Sequence, residues 1–172
     1  MPCYHPITAY RALVPNPETG KYRLLFGISR RHKLEEVKIP CGQCIGCRLE
    51  RSRVWAMRCV HESQLHEDNS FVTLTYDSSR PCSLGRDYTL VPDDFVKFMK
   101  RLRKEFSGEK IRFFHCGEYG SLNMRPHHHA ILFGLRFPDC KLWSRNHGQS
   151  IYRSAILERL WPYGFNILDK RL

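Results

Sequence analysis

The sequence has no apolar run near the roughly 18 residues that a bilayer-spanning helix needs. Its start, Met1-Pro2-Cys3-Tyr4-His5, lacks the basic segment and apolar stretch of a secretory leader. No membrane partner is therefore expected, and the expected setting is the interior of a cell. Acidic residues are scarce: 17 Asp and Glu stand against 28 Lys and Arg, a net +11. That balance disfavours basic partners and points to a polyanion such as nucleic acid, because Lys and Arg neutralise phosphates and release their counterions. A Gly-x4-Gly-Lys-Ser/Thr run is absent, so no phosphate-cradling loop for nucleotide-driven strand separation is expected. Internal repeats and low-complexity linkers are also missing. The 172 residues suit one domain, 1–172, with a real core.

Cysteine is plentiful instead, with eight residues. In a reducing compartment close cysteine spacing argues for metal ligation before disulfides. Cys41-x2-Cys44-x2-Cys47 forms such a knuckle within residues 1–47, with turn-forming Gly42 and Gly46 between the thiols. Three thiolates leave a tetrahedral Zn²⁺ one ligand short. Cys3 is the first choice for the fourth, with Cys59 or His5 behind it. An iron–sulfur cluster fits less well, since the fourth position after Cys47 is Arg51. The plain alternative is a turn with free or buried thiols. Cys82, Cys116 and Cys140 are isolated and expected to be small apolar fillers.

Periodicity supplies the elements. Residues 1–40 suggest an irregular segment with one hairpin, in which a turn at Asn16–Gly20 precedes a strand at Tyr22–Ile28. A helix is expected over Arg48–Glu67, with Trp55, Cys59 and Val60 as its apolar stripe. Phe71–Asp77 alternates as a strand with Val72, Leu74 and Tyr76 inward, and a loop follows to Asp87. Pro92-Asp93-Asp94 opens an amphipathic helix to about Phe106. Its Lys97, Arg101 and Lys104 are candidate phosphate contacts, although a solvated face is the default for such charges. Ile111–Cys116 predicts a strand, Gly117–Gly120 a polar connection, Ser150–Leu160 a last helix and Phe165–Leu168 a final short strand. The pattern favours an α+β domain, a central antiparallel sheet flanked by helices.

The densest signal is Arg125-Pro126-His127-His128-His129-Ala130-Ile131-Leu132-Phe133-Gly134. On a strand His127 and His129 share one face while His128 takes the other. Two neighbouring imidazoles begin a metal site. If the preceding strand pairs antiparallel with this one, Glu118 lies near its start and completes a His/His/Glu triad. Mixed nitrogen and oxygen donors with open positions suit Mn²⁺ or Mg²⁺ on a phosphate better than a closed structural Zn²⁺. Histidines in strands are often simple packing residues, and His128 is expected to be one.

His127-x-His129 in this setting resembles the metal motif of HUH endonucleases. More narrowly, five blocks resemble the replication initiators of gokushoviruses, small single-stranded DNA phages of the Microviridae. They are Met1–Pro6, Pro40–Arg48, Phe71–Asp77, Cys116–Gly120 and Trp161–Phe165. The resemblance implies rolling-circle initiation: metal held by residues matching His127, His129 and Glu118, origin nicking of single-stranded DNA, and a 5′-phosphotyrosyl intermediate. It further implies action in the host cytoplasm with host replication proteins, including a helicase. Arg125 joins the candidate DNA contacts. The family's nucleophile lies in a Tyr-x3-Lys motif, and none of the eight tyrosines here has Lys four positions on; Tyr76-x3-Arg80 is the nearest miss. The expectation is a chain that is truncated before that motif, or degenerate, and does not form the covalent bond.

Two other classes compete. A non-catalytic zinc-containing nucleic-acid-binding protein would make the cysteines central and His127→Ala silent. A metal-dependent nuclease using water would leave free 5′-phosphate ends. A purely structural phage protein gives no reason for the His-x-His pair.

Overall fold

The computed structural model describes residues 3–27, 34–80, 89–146 and 149–169. Two compact units divide the chain, Met1–Arg58 and Cys59–Leu172. In the first, β1 (Ile7–Ala12) lies between β2 (Leu24–Leu25) and β3 (Leu34–Ile39), both antiparallel to it. The expected strand at Tyr22–Ile28 is thus only two residues long in the described chain, and Ile28 itself lies outside it. The Asn16 side chain accepts from the Glu18 and Thr19 amides, which fixes the expected turn. Helix α1 (Ile45–Ser63) starts three residues before the expected Arg48 and ends before Glu67. Its apolar stripe is not buried: Trp55 and Val60 are exposed, and the Arg58 guanidinium covers the Trp55 ring at 5.0 Å. Cation–π contact takes the place of packing there.

The second unit is built on a six-stranded antiparallel sheet in the order β5-β6-β4-β9-β8-β7. Its strands are β4 (Asn69–Thr75), β5 (Arg112–Tyr119), β6 (Pro126–Phe133), β7 (Lys141–Asn146), β8 (Gln149–Arg153) and β9 (Asn166–Asp169). The α+β expectation with a central antiparallel sheet holds. Alternation along β4 and β6 sends Val72, Leu74, His128, Ala130 and Leu132 to one buried face. Helix α2 (Pro92–Glu105) covers that face with Phe95, Phe98, Met99 and Leu102, joined by Leu157, Leu160 and Trp161. The opposite face carries Phe71, Thr73, Thr75, His127 and His129. Hydrophobic burial on one side therefore determines what faces outward on the other.

Two expectations are corrected. Ser150–Arg153 is not helical: it forms strand β8, hairpinned to β7, and helix α3 covers only Ala155–Leu160. Ser154 marks that boundary, its hydroxyl accepting from the Leu157 amide at 3.0 Å as an N-cap. Gly117-Glu118-Tyr119 is not a connection but the end of β5, still paired with β6. Cys116 is exposed rather than a buried filler, while Cys140 packs against the core as expected. Cys82, and the part of the expected loop beyond Arg80, fall outside the described residues.

Candidate metal centres

Register places the first cluster. On β5 and β6, Glu118 pairs with His127 and Cys116 with His129; on β4, Thr75 pairs with His127 and Thr73 with His129. Paired residues in an antiparallel sheet share a face, so three strands converge on one spot. One ligand atom each from Glu118, His127 and His129 lies within 4.8 Å of the others. The Glu118 carboxylate oxygen Oε1 is 2.9 Å from His127 Nε2 and 3.3 Å from His129 Nε2. Glu118 is half exposed, so the cluster opens to solvent.

Both imidazoles are held from behind. The Nδ1–H of His127 donates to the Arg125 carbonyl at 3.0 Å, and His129 Nδ1 meets the Thr73 hydroxyl at 2.9 Å. Phe71 stacks on the His129 ring with centroids 5.4 Å apart and planes 22° apart. With the proton on each Nδ1, both Nε2 atoms present lone pairs toward Glu118. His127 Nε2 and the Glu118 carboxylate thus face each other across a gap that a cation can bridge. The His127 hydrogen bond holds the Glu118 carboxyl below the usual carboxylate range, with the charge of His129 and His127 adding to it. Two nitrogens and a carboxylate with an open side fit a divalent cation. Thr73 and Phe71 were not singled out by sequence: alternation in Phe71–Asp77 turns them away from Val72, Leu74 and Tyr76, and only the β4–β6 register brings them to the face of His129.

His128 points the other way, fully buried. It belongs to a chain of hydrogen bonds in which His115 Nε2 meets His128 Nδ1 at 2.9 Å and His128 Nε2 meets the Tyr76 hydroxyl at 3.0 Å. Tyr76 in turn donates to the buried Asp94 at 3.3 Å. Burial holds His128 down to about 4, so it is neutral near pH 7, and each ring nitrogen has a defined role. His128→Leu is expected to cost about 2 kcal/mol by leaving buried polar partners unmatched. It should leave Mn²⁺ affinity at the outer face within a few-fold. Urea unfolding and a metal titration check the two halves, and a collapse of metal affinity would contradict the assignment of His128 to packing.

The candidate DNA contacts fall in different settings. Lys97 and Lys104 are exposed on α2. Arg101 is half-buried and donates to the Leu160 carbonyl at 2.9 Å, with its guanidinium near the Tyr163 ring. Arg125 donates to the Tyr76 carbonyl at 3.1 Å, tying the start of β6 to the end of β4. Both arginines thus have internal partners.

The second cluster gathers Cys3, Cys41, Cys44 and Cys47, whose sulfurs all lie within 4.8 Å of one another. Neither Cys59 nor His5 belongs to it, so Cys3 is the fourth member. Amides of Tyr4, Cys41 and Cys44 donate to the sulfurs of Cys44, Cys3 and Cys41 at 3.5, 3.3 and 3.3 Å. The Tyr4 and Cys47 amides hold the Cys44 thiol down to about 6, whereas burial pushes Cys47 up to about 12.

Among the described residues no helix is long and apolar enough to cross a membrane. A family model described as Replication-associated protein ORF2/G2P matches residues 69–171. Replication-associated protein VP4 of Bdellovibrio phage phiMH2K is 36% identical over 140 residues, covering 77% of this chain and 43% of that protein. Replication-associated protein ORF2 of Spiroplasma virus 4 is 36% identical over 139 residues, with the same two coverages. Replication-associated protein ORF4 of Chlamydia phage 1 is 33% identical over 160 residues, covering 87% of this chain and 39% of that protein. The chain therefore spans less than half the length of these relatives. No solved structure matches.

Proposed function

The chain belongs to the replication-associated protein ORF2/G2P family, and from that premise we propose that it is the metal-binding part of a rolling-circle initiator that nicks single-stranded origin DNA. The observation that carries this reading is the convergence of Glu118, His127 and His129 on one open sheet face of a chain with net charge +11. A divalent cation, Mn²⁺ or Mg²⁺, would supply Lewis-acid polarisation of the scissile phosphodiester.

The chain's own residues orient and bind. Arg125, Thr73 and Phe71 fix the two imidazoles so that their Nε2 atoms face outward together. Glu118 brings the negative charge that attracts the cation and leaves the open side for a phosphate oxygen. Lys97 and Lys104 offer phosphate contacts along the strand. The nucleophile is unassigned: no tyrosine here meets the Tyr-x3-Lys pattern that the HUH resemblance calls for. Strand separation falls to a helicase of the host, and the expected place of action is the host cytoplasm.

The test is to incubate this chain, and a form extended at its C-terminus to the relatives' length, with origin-like single-stranded DNA and Mn²⁺. The extended form is expected to cleave and to remain attached to the 5′ end, while this chain binds DNA and metal without forming an adduct. A tyrosine-linked adduct from this chain would overturn the unassigned nucleophile. Cleavage leaving free 5′-phosphates would replace tyrosine attack by water. Intact DNA with both forms would leave a non-catalytic nucleic-acid-binding protein.

A further inference from the structure

The Met1–Arg58 unit poses a folding problem. Among its described residues only Ala9 and Gly46 are buried. Ile7, Leu13, Val14, Leu24 and Phe26 are all between 43% and 76% exposed, so they form no apolar interior. Chains of this size bury too little apolar surface to be stable without a staple. The Arg11–Glu35 ion pair across β1 and β3 is exposed on both sides, and such pairs contribute little. β2 adds only two residues to the β1–β3 pair, and so small a sheet without a hydrophobic covering layer is marginal in water. Yet β1 and β3 pair over six residues, and α1 begins directly after them.

The cysteine cluster sits where these pieces meet. Cys3 precedes β1, Cys41 follows β3, Cys44 immediately precedes α1 and Cys47 lies in its first turn. Gly42 takes a φ of +74°, a conformation open to glycine at little cost, within the knuckle whose Cys44 amide reaches the Cys41 sulfur. Amide donors to sulfur favour thiolate over thiol. Four soft donors select Zn²⁺ over the hard cations suited to the His/Glu face. We propose that this unit folds around one Zn²⁺ held by Cys3, Cys41, Cys44 and Cys47, the ion replacing a hydrophobic core that the described residues of the unit do not form. Binding releases the thiol protons to solvent and changes no oxidation state. The strand termini and the helix start are then joined at one atom, which fixes β1 against β3 and orients α1. This inference is independent of the nicking reading, since it concerns a different donor set and a different unit.

The experiment uses the full chain carrying His127→Ala and His129→Ala, so that metal at the other face does not intrude. Expected are one equivalent of zinc in the purified protein and, on exchange for Co²⁺, the intense thiolate charge-transfer and tetrahedral ligand-field bands of an S4 site. Stripping the metal with a strong chelator should accelerate amide exchange in β1 and β3 by on the order of 100-fold or more, while β4 and β6 stay protected. Added Zn²⁺ should restore protection. Cys44→Ser should lose the Co²⁺ bands, and because it can also fail to fold, the chelation experiment on unaltered cysteines decides. Unchanged protection of β1 and β3 after stripping would overturn the proposal. So would a disulfide within the cluster, seen as two missing thiols, or Co²⁺ spectra without thiolate bands.

Discussion

Replacing His129 by Ala is expected to weaken Mn²⁺ binding at the sheet face by at least about a hundredfold, because removing a ligand costs more than the 10–100-fold typical of losing a supporting group. In the extended form the same change should lower strand cleavage by about a thousandfold or more, since Lewis-acid stabilisation is worth several kcal/mol and each 1.36 kcal/mol is tenfold in rate. Thr73→Val is the more discriminating variant. It keeps the shape of the side chain and the Phe71 stack but removes the hydroxyl 2.9 Å from His129 Nδ1. An intermediate loss of metal affinity, with unfolding unchanged, is the expected result. Equal Mn²⁺ affinities for the unaltered, His129→Ala and Thr73→Val proteins, measured by calorimetric titration, would sink the assignment of this cluster as a metal centre.

Gly164→Ala should be the most damaging single methyl in the second unit. A Cβ at Gly164 would meet the Thr75 carbonyl oxygen, the Tyr76 carbonyl carbon at 2.7 Å and the Asp77 nitrogen at 2.8 Å, all of them backbone atoms. Neither segment can yield easily. The Thr75 amide donates to the Phe165 carbonyl and the Asp77 amide to the Tyr163 carbonyl, both at 2.9 Å, and Trp161 Nε1 donates to the Thr75 carbonyl at 2.8 Å. A loss of about 3 kcal/mol or more follows, at the upper end of overpacking effects. Because Thr75 pairs with His127, displacement here should also loosen the Glu118/His127/His129 cluster. Gly108→Ala is the control: nothing lies within 4 Å of its Cβ position, and stability should barely change. Thermal unfolding of the three proteins checks this, and a Gly164→Ala midpoint equal to the control's would refute the close-approach argument.

Much of the outer Glu118/His127/His129 face was legible because strand periodicity is local. The facing of His127 and His129, the turn of His128 to the opposite, buried face and the buried trio Val72, Leu74 and Tyr76 all follow from a period of two. Glu118 was placed near the site on the condition that the two strands pair antiparallel, yet it stood in a stretch expected to begin a connection. Only pairing with β6 shows that the strand continues through Gly117 and Tyr119 and aims the carboxylate. The β7–β8 hairpin was hidden for a related reason. Ser150–Arg153 carries no breaker, and its strand character comes from pairing with Lys141–Asn146 rather than from its own composition. The exposed stripe of α1 is the converse case: Trp55 and Val60 have helical spacing yet both are exposed, because spacing promises an apolar face and does not decide what packs on it.

The sequence by itself determined the chemistry available: two imidazoles on one strand face, a carboxylate nearby, a three-cysteine knuckle and a strongly basic surface. Those are properties of residue type and short spacing, which backbone geometry converts directly into direction. Tertiary structure alone decided which distant groups meet. It chose Cys3 over Cys59 and His5 across a separation of 38 residues to Cys41, and it set Thr73 behind His129 across 56. It also separated a unit with a packed core from one whose described residues bury almost nothing. Contacts of that kind depend on sheet order and on which faces find apolar cover, and neither is encoded in any single stretch of chain.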